Sequence, residues 1–296
     1  MIHVVGSINL DLVARLAALP RPGETVLGTA LLRRPGGKGG NQALAARRAG
    51  AEVRMIGCVG RDADGRDACA LLRRDGVDLS GVSEVDMATG VALIQIDSAG
   101  ENAITVLPGA NGALDAAHVR ARLKDLGSGD VVLVQQEVPR AATLAALAMA
   151  AAAGAMGILN VAPARPDDAE LAVVADVVVA NETEFEILTG DPAGRAAAEA
   201  WARRTGRRLA LTLGAGGAVL VDPDRAVSAR PDPIEAVDTV GAGDTFCGYL
   251  AAGLAAGRVP EEALHAAVAA SARACLSEGA QEAMPWADTG DPADVS

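Results

Sequence analysis

The stretch VVLVQQEVPRAATLAALAMAAAAGAMGILNV, residues 131–161, decides the reading of the fold. Val131–Gln135 is a short apolar run, Ala141–Ala153 is an alanine-rich run opened by Pro139-Arg140, and Ile158–Val161 is a second β-branched run. A strand, a helix and a strand in that order form the repeating unit of doubly wound parallel sheets. The strands are continuously apolar, as strands buried on both faces must be. The same rhythm extends outward. Ile2–Val5, Val53–Val59, Val177–Ala180 and Leu209–Leu213 read as further strands. Asn41–Ala49 (ended by Gly50 at C′), Gly65–Arg74, Gly243–Ala256 and Glu261–Leu276 read as helices.

Two regions break this alternation. Leu10–Arg34 carries short alternating runs with Pro20, Pro22 and Gly23 as turn signals. Thr89–Leu107 reads as strands Val91–Asp97 and Asn102–Leu107 around the loop Ser98–Glu101. Both are expected to form a small sheet outside the main one. No internal repeat or linker divides the chain, so residues 1–296 are expected to be a single domain with extra strands from about 10–35 and 89–108. The tail Asp288–Ser296 has only turn and acidic residues and is expected to fray.

The 296 residues are 50% hydrophobic, enough for a sizeable core, which excludes a disordered chain. A net charge of −12 argues against a protein that coats nucleic acid or an anionic membrane, which needs dense Lys and Arg. Aromatics at 2% leave little for base stacking. Cys58, Cys69, Cys247 and Cys275 lack C-x-x-C spacing, and His3, His118 and His265 do not cluster with them, so neither zinc nor a disulfide framework is expected. The histidines are read as structural or solvated, and Cys247 as buried packing. Ala141–Ala153 is too short to span a bilayer. Ile2-His3-Val4-Val5-Gly6 has no basic region followed by a long apolar run, so no signal peptide is expected, and the cytoplasm is the expected compartment.

The sharpest chemical signal is Asp238-Thr239-Val240-Gly241-Ala242-Gly243-Asp244-Thr245-Phe246, where small residues run into a helix. Gly241-Ala242-Gly243 lets a ligand approach the backbone, and a helix N-terminus presents free N–H groups with partial positive charge, an anion hole suited to a phosphoryl group. Asp244 beside it either complements the helix dipole or accepts a proton from an attacking hydroxyl. A second signal is Pro35-Gly36-Gly37-Lys38-Gly39-Gly40-Asn41-Gln42. It fits neither a P-loop nor a dinucleotide fingerprint. It is either a glycine turn with a solvated lysine, or a flexible backbone whose amine and amide bind a small polyol.

Through Gly36–Ala49 and Asp238–Gly248 the chain resembles the ribokinase-like (PfkB) sugar kinases. Gly6–Asp11, Arg21–Thr25, Gly37–Ala43, Gly109–Asn111 and Gly279–Gln281 carry the resemblance nearly to Trp286, and are most similar to the family's ribokinase branch. It implies a Rossmann-type three-layer α/β sandwich with a β-sheet lid, pairing through that lid into a homodimer. The implied activity is ATP-dependent phosphorylation of a sugar, D-ribose at its 5-hydroxyl first. Fructose, deoxyribose, 2-keto-3-deoxygluconate or a nucleoside are alternative acceptors, and a silent binding protein or an NAD oxidoreductase are the rivals of other classes. Carried over by position, Asn9, Asp11, Gly37, Lys38, Asn41 and Glu137 would bind the sugar, and Asp244 would be the base beside the Gly241-Ala242-Gly243 anion hole. Asn181 and Glu184, in an N-x-x-E motif, would serve Mg²⁺ and phosphate; Thr212, Gly214 and Gly217 would form the ATP loop. A K⁺ site is implied at Asp238, Val240, Ala274, Ser277, Gly279 and Ala283. Val240 and Gly241 stand where that branch often has Thr and Ala, and Ala283 where Ser is usual.

Overall fold

In the computed structural model, which describes residues 1–287, the apolar runs pair into two sheets. The tail Asp288–Ser296 lies outside the described residues. In chain order the strands are β1 (Ile2–Val5), β2 (Asn9–Leu16), β3 (Gly28–Gly36), β4 (Val53–Gly60), β5 (Asp78–Val85), β6 (Gly90–Ile96) and β7 (Asn102–Leu107). They continue as β8 (Val131–Val134), β9 (Met156–Asn160), β10 (Val177–Asn181), β11 (Arg208–Thr212), β12 (Ala218–Val221) and β13 (Ala226–Ala229).

The main sheet is nine-stranded, in the order β13-β12-β11-β10-β9-β8-β1-β4-β5. It is parallel from β5 to β11, and β12 and β13 extend it antiparallel. Its central strands are apolar throughout because helices cover both faces. Ile2 and Val4 pack with Leu44, Leu250 and Leu264 from the helices Lys38–Arg48, Ala242–Ala255 and Pro260–Ala274. Val5 points the other way, into a second core with Leu147, Phe185 and Trp201. The result is the expected three-layer sandwich. The chain leaves β1 for β4 and β5 on one side, then returns to β8 on the other. This reversal is a topological switch point, and it opens a crevice at the carboxyl ends of β1 and β8 where open α/β sheets bind ligands.

The second sheet, in the order β3-β2-β6-β7, gathers both irregular regions into a lid. Alternation along β2 and β6 buries Val13, Ala92 and Ile94, with Leu32 and Ile96 beside them, on the face that also carries Asp11. The outer strand β7 is exposed along its length.

Several elements differ from the expectation. The first helix begins at Lys38 rather than Asn41, because Gly37 at φ +83 turns the chain into it. The expected helix Gly65–Arg74 is two short helices, Ala63–Ala68 and Ala70–Arg74, interrupted at Cys69. Strands β5 and β13 lie at the sheet edges, where the demand for a continuous apolar run is relaxed, and β12, paired between β11 and β13, is an apolar run of only four residues, Ala218–Val221. The helices Ala116–Arg122, Glu182–Thr189 and Arg195–Thr205 were also outside the expected set. No helix among the described residues is long and apolar enough to cross a membrane.

Candidate active site

The crevice at the switch point is built by backbone that follows β1 and β8. Ser7, just past β1, donates from Oγ to Glu137 Oε2 at 2.7 Å, and Glu137 lies just past β8. The Lys38 amide donates to the same carboxylate oxygen at 3.1 Å. The Gly39 amide donates to Ser7 Oγ at 3.3 Å. These contacts clamp the glycine turn against both central strands. Asn9 is buried, and its Oδ1 accepts from Asn111 Nδ2 at 2.7 Å. Asn111 is itself fixed by the Ile8 amide, which donates to its Oδ1 at 2.9 Å. This orientation leaves the Asn9 Nδ2 donor without a protein acceptor among the described residues.

Asp244 sits in the first turn of the helix Ala242–Ala255, 7% exposed. Its Oδ2 accepts from Asn41 Nδ2 and its Oδ1 from Gln42 Nε2, both at 2.9 Å. The helix is entered through Gly241 at φ +78, where a Cβ would lie 2.9 Å from Ala280 Cα. Only glycine fits both the dihedral and the space. The expected anion hole needs one correction: the Ala242 amide donates to Thr239 O at 3.3 Å. The amides of Gly241, Gly243 and Asp244 have no acceptor among the described residues and are the donors available to an anion.

Charge is concentrated here. Burial, and then the neighbouring Glu137, Asp244 and Glu282 carboxylates, push the Asp11 carboxyl up to about 7. The Asp244 carboxylate beside Lys38 raises the lysine above its ordinary value against the opposing effect of burial, so its ammonium stays charged. Burial raises Glu184, with Lys38 partly offsetting it. Burial also drives the Cys247 thiol well above its ordinary range, so it remains neutral and packs, as expected.

A cavity of about 240 Å³ is lined by Lys38, Asn181, Glu184, Thr212, Gly241, Gly243 and Asp244 among others, while Asn9, Asp11, Gly37, Asn41 and Glu137 lie outside its lining. Asn181 and Glu184 form a capping box, in which the Glu184 amide donates to Asn181 Oδ1 and the Asn181 amide to Glu184 Oε2, both at 2.8 Å. The motif therefore starts a helix, and both of its residues also line the cavity. Gly214 and Gly217 lie outside the lining, in the β11–β12 turn, where Gly217 has φ +88. A larger groove of about 1130 Å³ lies at the opposite ends of the strands, lined by Glu52, Arg230, Arg258 and His265 among others, and shares no residue with this cavity.

Next to the anion donors, Asp238 closes a loop. Its Oδ1 accepts from the Val240 amide at 3.0 Å and its Oδ2 from the Gly279 amide at 2.9 Å. Among the described residues the carbonyls of Val240, Ala274, Ser277 and Gly279 accept no hydrogen bond. Ala283 contributes no side-chain oxygen. The residues that sequence reasoning missed are Ser7, Gln42, Asn111, Gln135, Asn160, Gln281 and Glu282. None of the three histidines lines the cavity.

The sequence pattern of the pfkB family carbohydrate kinases matches residues 1–287. The chain is 38% identical over 285 residues to the ribokinase of Bacillus subtilis, covering 96% of each. It superposes on the ribokinase of Thermotoga maritima with a TM-score of 0.88 at 31% identity, covering 96% of each chain. A ribokinase of Arabidopsis thaliana, solved in complex with ribose and ATP, gives 0.85 at 30% identity over 96% of this chain and 95% of that one. With the family pattern matched over residues 1–287 and a relative 38% identical over 96% of both chains, the chain belongs to the pfkB family of carbohydrate kinases.

Proposed function

We propose that the chain is an ATP-dependent ribokinase that transfers the γ-phosphoryl group to the 5-hydroxyl of D-ribose. The observation that carries this reading is the buried Asp244 carboxylate, facing one cavity together with Lys38 and the open end of its helix. Asn9, Asp11, Asn41, Glu137 and the Gly37-Lys38 turn hold the sugar hydroxyls. Asp244 takes the proton of the attacking hydroxyl as its oxygen bonds to phosphorus and the bond from phosphorus to the ADP oxygen breaks. The Lys38 ammonium and the amides of Gly241 and Gly243 carry the charge on the transferring group. Thr212, Gly214 and Gly217 form the phosphate side of the nucleotide site. The whole chain acts as one unit, and lid closure excludes water as a competing acceptor.

Mg²⁺ supplies charge neutralisation on the ATP phosphates. No group of three acidic, His or Cys side chains is assembled for a metal among the described residues. That fits Mg²⁺, which takes one or two carboxylates plus phosphate oxygens and water; Glu184 and Asn181 are the residues to hold it. Exposed Ile104 and Val106 on the lid support pairing of two copies there, which sedimentation of the purified protein checks. The free, buried thiols fit a reducing cytoplasm, the compartment we assign.

The test is a panel of D-ribose, 2-deoxyribose, fructose, 2-keto-3-deoxygluconate and nucleosides with MgATP, scored by ADP release. D-ribose is expected to give the highest kcat/KM, and any other acceptor exceeding it overturns the assignment.

The Asp238 loop supports a monovalent-cation site. K⁺, held by Asp238 with the carbonyls of Val240, Ala274, Ser277 and Gly279, would fix the orientation of the neighbouring anion-hole amides. Activation by K⁺ is therefore expected in kcat more than in ATP affinity, and the missing oxygen at Ala283 shifts half-activation to higher concentration. Equal rates in KCl and tetramethylammonium chloride at matched ionic strength, after potassium is removed, would exclude the site.

A further inference from the structure

We propose that Gln42 is a positioning residue for Asp244: a relay of buried side-chain amides, Gln135 to Gln42 and Gln42 to Asp244, holds the base aimed at the acceptor hydroxyl. The proposal rests on the reading of Asp244 as the base.

Gln42 is fully buried, and its amide uses both N–H donors and its oxygen. Its Nε2 donates to Asp244 Oδ1 at 2.9 Å and to Asn160 Oδ1 at 3.0 Å. Its Oε1 accepts from Gln135 Nε2 at 2.8 Å. A flipped Gln42 amide would set its oxygen against the Asp244 carboxylate and its NH₂ against that of Gln135, so the surroundings allow one orientation. Asn160 is anchored in turn, donating from Nδ2 to Val179 O at 3.3 Å. On the other carboxylate oxygen, Asn41 is oriented by Gln281 Nε2, which donates to its Oδ1 at 3.1 Å. Both oxygens of Asp244 are thus held by neutral donors whose own acceptors are occupied. Neutral donors favour the ionised form without placing a cation on the base, and a carboxylate with one donor per oxygen retains lone pairs for a hydroxyl.

The charged groups that act on Asp244 are Lys38, Asp11 and Glu184, with the buried Cys247 thiol on the same helix. Asp11 titrates near 7, so the measurement is kcat at saturating D-ribose, where the bound sugar keeps Asp11 in one state. Gln42→Met keeps the side-chain length and removes the donor. Its kcat is expected to fall at least about tenfold, and the acid limb of the kcat–pH profile to move up by about one pH unit. Gln42→Glu places a second carboxyl against Asp244 and is expected to move the limb further. Gln135→Leu leaves the Gln42 donor in place but unanchored, and a smaller upward shift is expected. Calorimetric ATP binding at the parent affinity shows that each variant is folded, and Gln135→Leu decides the matter if neither Gln42 variant folds. An acid limb that superposes on the parent in the folded variants, whatever the loss of kcat, overturns the proposal and leaves Gln42 a packing residue. Failure of the underlying reading looks different: Asp244→Asn then retains activity.

Discussion

Asp244→Asn is expected to lower kcat by about 10²–10⁴-fold while ATP still binds. The substitution changes no side-chain size, so the helix and its open amides keep their place. It removes the one group at this position that can accept a proton. It also places an NH₂ where Asn41 or Gln42 now donates, at 2.9 Å from either oxygen, so one donor loses its acceptor. Some loss of stability therefore accompanies the loss of rate, and the two are separated by reading kcat at saturating substrates beside calorimetric ATP affinity. Retention of more than about half of the parent kcat would remove Asp244 from the mechanism. The expected size follows from how the site is organised. The anion-facing amides and Lys38 act on the phosphoryl group whatever residue 244 is, so their contribution remains, and the missing factor is that of a general base alone.

How far the sequence is legible depends on whether a physical demand falls on contiguous residues. Strands β1, β4, β8 and β10 are covered on both faces, so burial forces apolar runs that can be read directly. Strand β5 lies at an edge, and its Asp78-Leu-Ser-Gly-Val-Ser-Glu-Val85 carries no such run. Gly241 and Asp244 are legible because a helix start with an anion hole is local chemistry. The support of Asp244 is not local: Gln42, Gln135, Asn160 and Gln281 come from a helix, two strand ends and a late loop. Gln135 and Asn160 leave a trace as amides at the end of apolar runs, while Gln42 and Gln281 lie within the motif stretches Gly37–Ala43 and Gly279–Gln281 with nothing local to mark their role. An unpaired amide there would be costly in the core, so each such position demands a partner that the fold must supply. The lid was readable for the opposite reason, since its alternating runs mark a sheet with only one buried face.

Asp11→Ala is expected to raise the KM for D-ribose about 10²-fold or more, with kcat changed little. A buried carboxylate that receives two sugar hydroxyls makes charge-assisted bonds worth roughly 1.5–3 kcal/mol each, and alanine removes both. The same carboxylate should make sugar capture pH-dependent. Its pKa of about 7 in the sugar-free protein means that the group is increasingly protonated as the pH falls below that value. A protonated carboxyl accepts hydroxyl bonds poorly, so the ribose KM should rise up to about tenfold per pH unit below 7 and level off above it. The sign is fixed by the cause: burial and the Glu137, Asp244 and Glu282 charges all oppose ionisation, so the shift runs upward from the ordinary 3.8. In the apo protein the same shift works against stability, since the charged form is disfavoured by folding and stability is lost as the pH rises toward 7. Bound sugar, by hydrogen-bonding the ionised form, should reverse that trend, so the rise in Tm given by ribose should be larger at pH 8 than at pH 6. Asp11→Asn separates the two effects: its KM should be high and flat across this range. An Asp11→Ala protein that is folded and keeps the parent KM, or an Asp11→Asn variant whose KM follows the parent profile, would place the sugar away from Asp11.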